Sequence, residues 1–432
     1  MLINTKRTSA VLSMMALLFS TSACSNPSTV NTDTARVEKA DNKPANNIQT
    51  SDDSISDGKT RNNKPAFTTQ AVASFDEPWA MTALPKNDNG SSSEPLKLLV
   101  TQKTGELFVV DTDSGSKTAI GGVPKVAYGG QGGLGDIILA PDFATSNMVY
   151  LSYIEAGTGS KNNTFGAKVI KAKLMGLKTM TPSLQSIVPI WQQTPKVKGQ
   201  GHYSHRLLFS PDDGRYLYIS SGDRQAKDPA QDMTVNLGKI IRLNSDGSVP
   251  ADNPFVRNTN TNDITQQVWT LGHRNVLGMV FDKAGKLWVH EMGPKGGDEF
   301  NLIEKGSNYG WPMVSNGRNY SGTDIPDHDT RPDLVAPKIT WTPVISPSSM
   351  SIYSTGSYND FPAWQGNALI SGLSSKALIV VNLAASNTTN NTPYERYRYD
   401  MGQRIRGVLA VDGQVWLLED GNNGKLLRLL PD

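Results

Sequence analysis

Cysteine occurs once in this chain, at position 24, so no intramolecular disulfide can form. Histidine is also scarce, at five of 432 residues. His202 and His205 have no third His or Cys nearby, and H-x-x-H in a β segment does not gather ligands on one helix face, so a zinc cage is a poor reading. Neither sign of charge dominates: 42 Lys+Arg stand against 40 Asp+Glu, and no basic block or stripe appears. A nucleic-acid partner is therefore disfavoured. The N-terminal apolar run, Ala10 to Phe19, is too short to span a bilayer. Long amphipathic helical patterns are scarce as well. A single compact core rarely exceeds roughly 250–300 residues, so the chain is expected to form two domains or one radially repeated domain.

Lys6 and Arg7 precede that apolar run and small residues follow it to Ala23, which reads as a signal peptide over 1–23. The setting Thr21-Ser22-Ala23-Cys24 resembles a bacterial lipoprotein cleavage box, with threonine where leucine is usual. The resemblance implies cleavage before Cys24, lipid on its sulfur and a periplasmic protein anchored to the outer membrane. The alternative is an ordinary secretory signal with an incidental cysteine. The stretch 24–66 is Asn, Ser, Thr, Asp and Lys with almost no large apolar residue, and is expected to be a disordered tether.

From Phe67 to the C-terminus one phrase recurs: an apolar strand, a Pro/Asp/Gly turn, then an aromatic-rich strand. Leu96 to Val110, Asp136 to Tyr153, Leu207 to Ser221, Met279 to His290, Ala368 to Leu383 and Val408 to Leu430 all carry it. Such alternation reads as antiparallel hairpins. Six copies fit an all-β, six-bladed propeller of four-stranded blades over 67–432, with Ala71 to Leu84 closing the ring. Two motifs mislead. Gly130, Gly132 and Gly135 satisfy G-x-G-x-x-G, but the following Asp-Ile-Ile-Leu-Ala-Pro is a strand and not the helix a dinucleotide needs. Gly296 to Phe300 spells GGDEF, in β-rich surroundings unlike the α/β domain of diguanylate cyclases.

Polar and glycine-rich residues crowd one end of a hairpin in Leu271 to Pro312: His273, Arg274 and Asn275 before it, Glu291, Gly293 and Pro294 after it. A hairpin charged at its mouth presents a site. GHRN, then GP with an acidic DE beyond, then NLI-x-KG-x-NYGWP, resembles the soluble glucose and aldose sugar dehydrogenases. These are six-bladed propellers that hold pyrroloquinoline quinone (PQQ) and calcium. The resemblance implies PQQ contacts for Gln131, Arg274, Asn275, Lys376, Arg404 and Arg406. It implies calcium at the main-chain oxygens of Gly293 and Pro294, and a second calcium at Glu299 and Tyr309. Carbonyl and carboxylate oxygens suit that hard ion.

His202 is the expected general base, because a neutral imidazole suits proton abstraction near neutral pH. The family's catalytic histidine likewise lies a few residues before an Arg-Leu pair, here Arg206-Leu207. Some relatives carry aspartate where Gly201 stands, which leaves the orienting partner of His202 open. The implied reaction is oxidation of an aldose at its anomeric carbon to the lactone, with Arg274 assisting and an unidentified quinone, cytochrome or other redox protein as electron acceptor. The rivals are a non-catalytic tethered binding propeller and a calcium-dependent propeller hydrolase.

Overall fold

The computed structural model describes residues 64–86, 95–257, 263–383 and 392–432. The signal peptide, Cys24 and nearly all of the tether lie outside the described residues. Six four-stranded antiparallel sheets make up the fold. Their first strands are Pro78–Ala83, Leu134–Leu139, Ser204–Phe209, Val276–Phe281, Pro347–Ile352 and Ile405–Val411. These strands pack side by side in chain order around a central channel, and the sixth returns to the first. We number the blades one to six in that order.

The ring closes with Phe67–Phe75, which pairs antiparallel with Gly424–Pro431 as the outer strand of blade six. The expected closing segment, Ala71 to Leu84, is corrected by this pairing. It spans the end of that strand and then Pro78–Ala83, the innermost strand of blade one. The break between them falls at Asp76-Glu77, where Glu77 adopts φ of 46°. The repeated phrases also start at different points within a blade. Leu96 to Val110 and Ala368 to Leu383 cover second and third strands, whereas Leu207 to Ser221 covers a first and second.

The described residues share no single core. Apolar clusters fill each gap between adjacent blades: Leu99 and Leu107 meet Leu151 and Ile170 between blades one and two, and Trp416 and Leu418 meet Leu98 and Val100 between blades six and one. Burying each such side chain contributes about 1.5–3 kcal/mol. Dividing the core into wedges is how one domain exceeds the usual core limit.

Arg206 ties the wedges together at the channel. From blade three its Nη1 lies 3.3 Å from Asp136 Oδ1 of blade two, and its Nε donates to Leu277 O of blade four at 2.8 Å. Its Nη2 donates to Ser348 O of blade five at 2.8 Å, and the guanidinium lies 3.9 Å from the ring centre of Trp79 in blade one.

Candidate active site

The hairpin register sets the first part of the site. Ser204 pairs with Ser221 across the first two strands of blade three, so two residues further out His202 faces Asp223. His202 Nδ1 lies 2.7 Å from Asp223 Oδ1. The other carboxylate oxygen accepts from Trp311 Nε1 at 2.8 Å, and Gln225 N donates to Oδ1 at 2.8 Å. An aspartate so held fixes the tautomer: Nδ1–H donates to the carboxylate and Nε2 keeps its lone pair. Asp223 is the orienting partner that the sequence left open.

Burial lowers the His202 pKa below 6.5; the Asp223 hydrogen bond pulls it back up, and the Arg274 charge pushes it down. The ring is therefore neutral at pH 7. His205 is excluded as the base: it is fully buried, its Nδ1 bonds Ser152 Oγ at 2.8 Å, and it stacks on Trp79 with centroids 4.7 Å apart. Burial pushes its pKa down to about 3. The backbone here is strained, with φ of 48°, 58° and 55° at His202, Ser204 and His205. Strain of this kind collects at functional sites.

Blade four supplies the second part. Arg274 N donates to Glu291 Oε2 at 2.6 Å, and the other Glu291 oxygen lies 2.9 Å from His273 Nδ1. Arg274 Nη1 donates to Met292 O at 2.9 Å and Nη2 to the Tyr320 hydroxyl at 3.3 Å, while its buried Nε has no partner among the described residues. Asn275 Oδ1 accepts from Ser204 Oγ at 3.0 Å, joining blades three and four.

A cavity opens at this end of the channel, lined by blades one, three, four, five and six and by the turn that leads into blade two. Trp79 and His205 are in its wall, with Gln131 from the turn before blade two, Asn275 from blade four, Leu373 from blade five, and Arg404 and Arg406 from blade six. Arg404 Nε donates to Asp420 Oδ2 at 2.8 Å and Arg406 Nε to Asp420 Oδ1 at 2.8 Å, so one carboxylate aligns both cations. His202 and Arg274 sit one residue outside the lining. Gln131 Oε1 bridges the gap by accepting from His202 N at 2.7 Å.

Lys376 is not brought to the wall. It is exposed, in a turn with φ of 49°, on the loop whose Leu373 lines the cavity. Sequence reasoning passed over Asp223, Trp79, Lys103 and Asp298. Asp223 was recoverable from the hairpin's own register.

The Gly293-Pro294 loop has the chemistry of a hard-cation site. Both residues are buried, and among the described residues no donor bonds either carbonyl oxygen. Asp298 holds the loop by accepting from Gly293 N at 2.8 Å, Ile345 N at 2.8 Å and Ser346 N at 2.7 Å. Burial pushes Asp298 up to about 6, against the pull of those amides. A Cβ at Gly293 would stand 2.3 Å from the carbonyl oxygens of Gly296 and Gly297, so only glycine fits. Among the described residues no group of three or more His, Cys, Asp or Glu side chains could hold a metal ion, which leaves carbonyl oxygens as the main donors.

Glu299 pairs directly opposite Glu291 across two strands. Burial and then the Glu291 charge raise its pKa well above the usual carboxylate value. Asn301 Nδ2 donates to Glu299 Oε2 at 3.0 Å, while its buried Oδ1 has no partner among the described residues. The Tyr309 hydroxyl donates to Leu302 O at 2.7 Å and accepts from Glu304 N at 2.8 Å. Its side chain is thus committed to its own turn, and its main-chain oxygen, 3.2 Å from His328 Nε2, keeps one lone pair for a further partner.

Six blades surround a channel that ends in a cavity with Lys103, Arg404 and Arg406 in its wall and an aspartate-bonded imidazole beside it. Comparison with known proteins narrows the class. Residues 75–428 match the family model for Glucose / Sorbosone dehydrogenase, and the chain belongs to that family of oxidoreductases. It is 35% identical over 367 residues to the aldose sugar dehydrogenase YliI of Escherichia coli, covering 83% of this chain and 91% of the relative. The crystal structure of the soluble aldose sugar dehydrogenase of Escherichia coli in its apo-form superposes with a TM-score of 0.74 at 33% identity, covering 85% of this chain and 100% of that one. The PQQ-bound form of an aldose sugar dehydrogenase from Streptomyces coelicolor gives 0.65 at 26% identity, covering 85% of this chain and 99% of that one.

Proposed function

We propose that the protein is a PQQ- and calcium-dependent dehydrogenase that oxidises aldoses at the anomeric carbon to lactones. The observation that carries this reading is the channel-end cavity lined from five blades and the turn before blade two, with two aligned arginines in its wall and the His202–Asp223 pair at its rim. An ortho-quinone with three carboxylates needs fixed cations and amide hydrogen-bonders. Arg404, Arg406, Gln131 and Asn275 supply them, with Arg274 at the mouth and Lys376 from the exposed loop. The unpartnered Nε of Arg274 is a donor still to be satisfied. The main-chain oxygens of Gly293 and Pro294 would hold calcium beside the cofactor, and Glu299 with Tyr309 O a second ion. When bound, the quinone supplies a two-electron acceptor and the cation a Lewis acid.

The chain's own residues handle the proton and the charge. His202 Nε2 takes the anomeric hydroxyl proton as hydride leaves the same carbon. Asp223 stabilises the imidazolium that results, and Arg274 stabilises negative charge developing on the sugar oxygen. Since the neutral ring is the active form, kcat/KM should fall as pH drops through the His202 pKa. The midpoint of that acid limb is expected below 6.5. Asp223→Asn removes the group that favours the protonated ring, so the limb should move to lower pH while the plateau drops. A pH–rate profile checks both.

Reconstitution tests the whole reading. Apoprotein given PQQ and Ca²⁺ should bind the cofactor, and an aldose should then bleach the oxidised cofactor's spectrum. No cofactor uptake would end it. The proposal includes a place: lipid on Cys24 would hold the propeller on the outer membrane, facing the periplasm. Intact mass of membrane-extracted protein should show a diacylglyceryl-modified Cys24 as first residue; an unmodified thiol would rule the anchor out.

A further inference from the structure

Lys103 is a cation that neither the sequence reading nor the resemblance assigns. It lies in the turn between the strands Lys97–Gln102 and Leu107–Asp111 of blade one, and lines the same cavity as Arg404 and Arg406. Its side chain is only 13% exposed, and Nζ lies 3.1 Å from Glu77 Oε1. Glu77 is itself tightly held. Its Oε2 accepts from the Tyr128 hydroxyl at 2.6 Å, its carbonyl accepts from Lys103 N at 3.0 Å, and its own N–H donates to Gly421 O at 3.1 Å. Burial pushes the Glu77 carboxyl up, but the Tyr128 and Lys103 hydrogen bonds outweigh it and keep the group ionised. Gly421, the residue Glu77 bonds, follows Asp420, the partner of Arg404 and Arg406, and Lys103, Arg404 and Arg406 line one cavity, which puts the two ion-pair groups in one corner.

In that corner three cations, Lys103, Arg404 and Arg406, face two carboxylates, Glu77 and Asp420. One positive charge is left over at the wall of the cavity. An ammonium also has three donors, and Glu77 takes one. We propose that Lys103 is a third cation of this corner and binds a carboxylate of the cofactor beside Arg404 and Arg406. The inference rests on the PQQ reading above. Glu77 positions the ammonium and partly neutralises it, so its removal should act in the opposite sense to removal of Lys103. A rim salt bridge with a purely structural role predicts that both removals act alike.

The test is a fluorescence titration of folded apoprotein with PQQ in the presence of Ca²⁺, repeated across a range of salt. Lys103→Gln is expected to weaken binding about 10- to 100-fold, the range for a lost charge-assisted hydrogen bond, and to flatten the salt dependence. Lys103→Arg should stay within a few-fold of the wild type. Glu77→Gln should bind equally or more tightly. Unchanged affinity in Lys103→Gln overturns this inference alone. So does parallel weakening in Lys103→Gln and Glu77→Gln, or a tenfold loss in Glu77→Gln should Lys103→Gln not fold. Absence of PQQ binding by the wild type overturns both this inference and the functional reading.

Discussion

His202→Ala is expected to lower turnover by roughly 10²–10⁴ while PQQ affinity stays within a few-fold of the wild type. The two readouts separate because of where the ring sits. His202 does not form the cavity wall; its neighbours Tyr203, Ser204 and His205 do. Its Nδ1 is committed to Asp223, so what the substitution removes is the proton-accepting Nε2. Asp223→Asn should reproduce much of the loss, because an amide can donate to Nδ1 and so favour the tautomer that puts the proton on Nε2. Steady-state kinetics with a cofactor titration on the same samples decides it. Near-normal turnover in His202→Ala would remove the general base from the account.

The second large effect is on stability. Arg206→Ala is expected to cost roughly 3–5 kcal/mol, the range for breaking a buried ion pair from one side. Asp136 would be left buried with its two main-chain donors, Leu207 N at 2.9 Å and Ile137 N at 3.2 Å. The carbonyls of Leu277 and Ser348 would each lose a donor, and Trp79 the cation on its face. The losses fall on four other blades at once, so no local relaxation repairs them. Denaturant unfolding measures the cost. The double variant Arg206→Ala/Asp136→Asn should recover part of it by removing the stranded charge. A loss below about 1 kcal/mol in the single variant would mean that Arg206 is not the tie described here.

How far the sequence reveals this depends on whether a contact is local. The strands were legible because alternation and turn residues are local, and six recurrences of one phrase implied radial repetition. Ring closure was misplaced because Phe67–Phe75 and Pro78–Ala83 run almost without a break, and only the turn at Asp76-Glu77 sends them to different blades. Asp223 is an intermediate case. It lies 21 residues from His202 and looks unrelated, yet the hairpin between them places the two opposite. Arg206, Lys103 and Asp298 were not legible in that way. Arg206 sits in a strand, where a charged residue ordinarily marks the solvent face; its partners come from blades 70 and more residues away. Lys103 looks like any turn lysine until Glu77 and the cavity are seen around it. Tyr309 shows the converse limit, since motif matching picks the residue but not the atom, and its hydroxyl is already bonded within its own turn.

Everything functional here depends on six blades converging on one anionic cofactor. A crystal structure of the protein soaked with PQQ and Ca²⁺ tests this most directly. The cofactor is expected in the channel-end cavity, its carboxylates against Arg404, Arg406 and Lys103, with a cation on the Gly293 and Pro294 oxygens and His202 Nε2 facing the quinone. Density for PQQ elsewhere on the surface, or none at saturating cofactor, would contradict it.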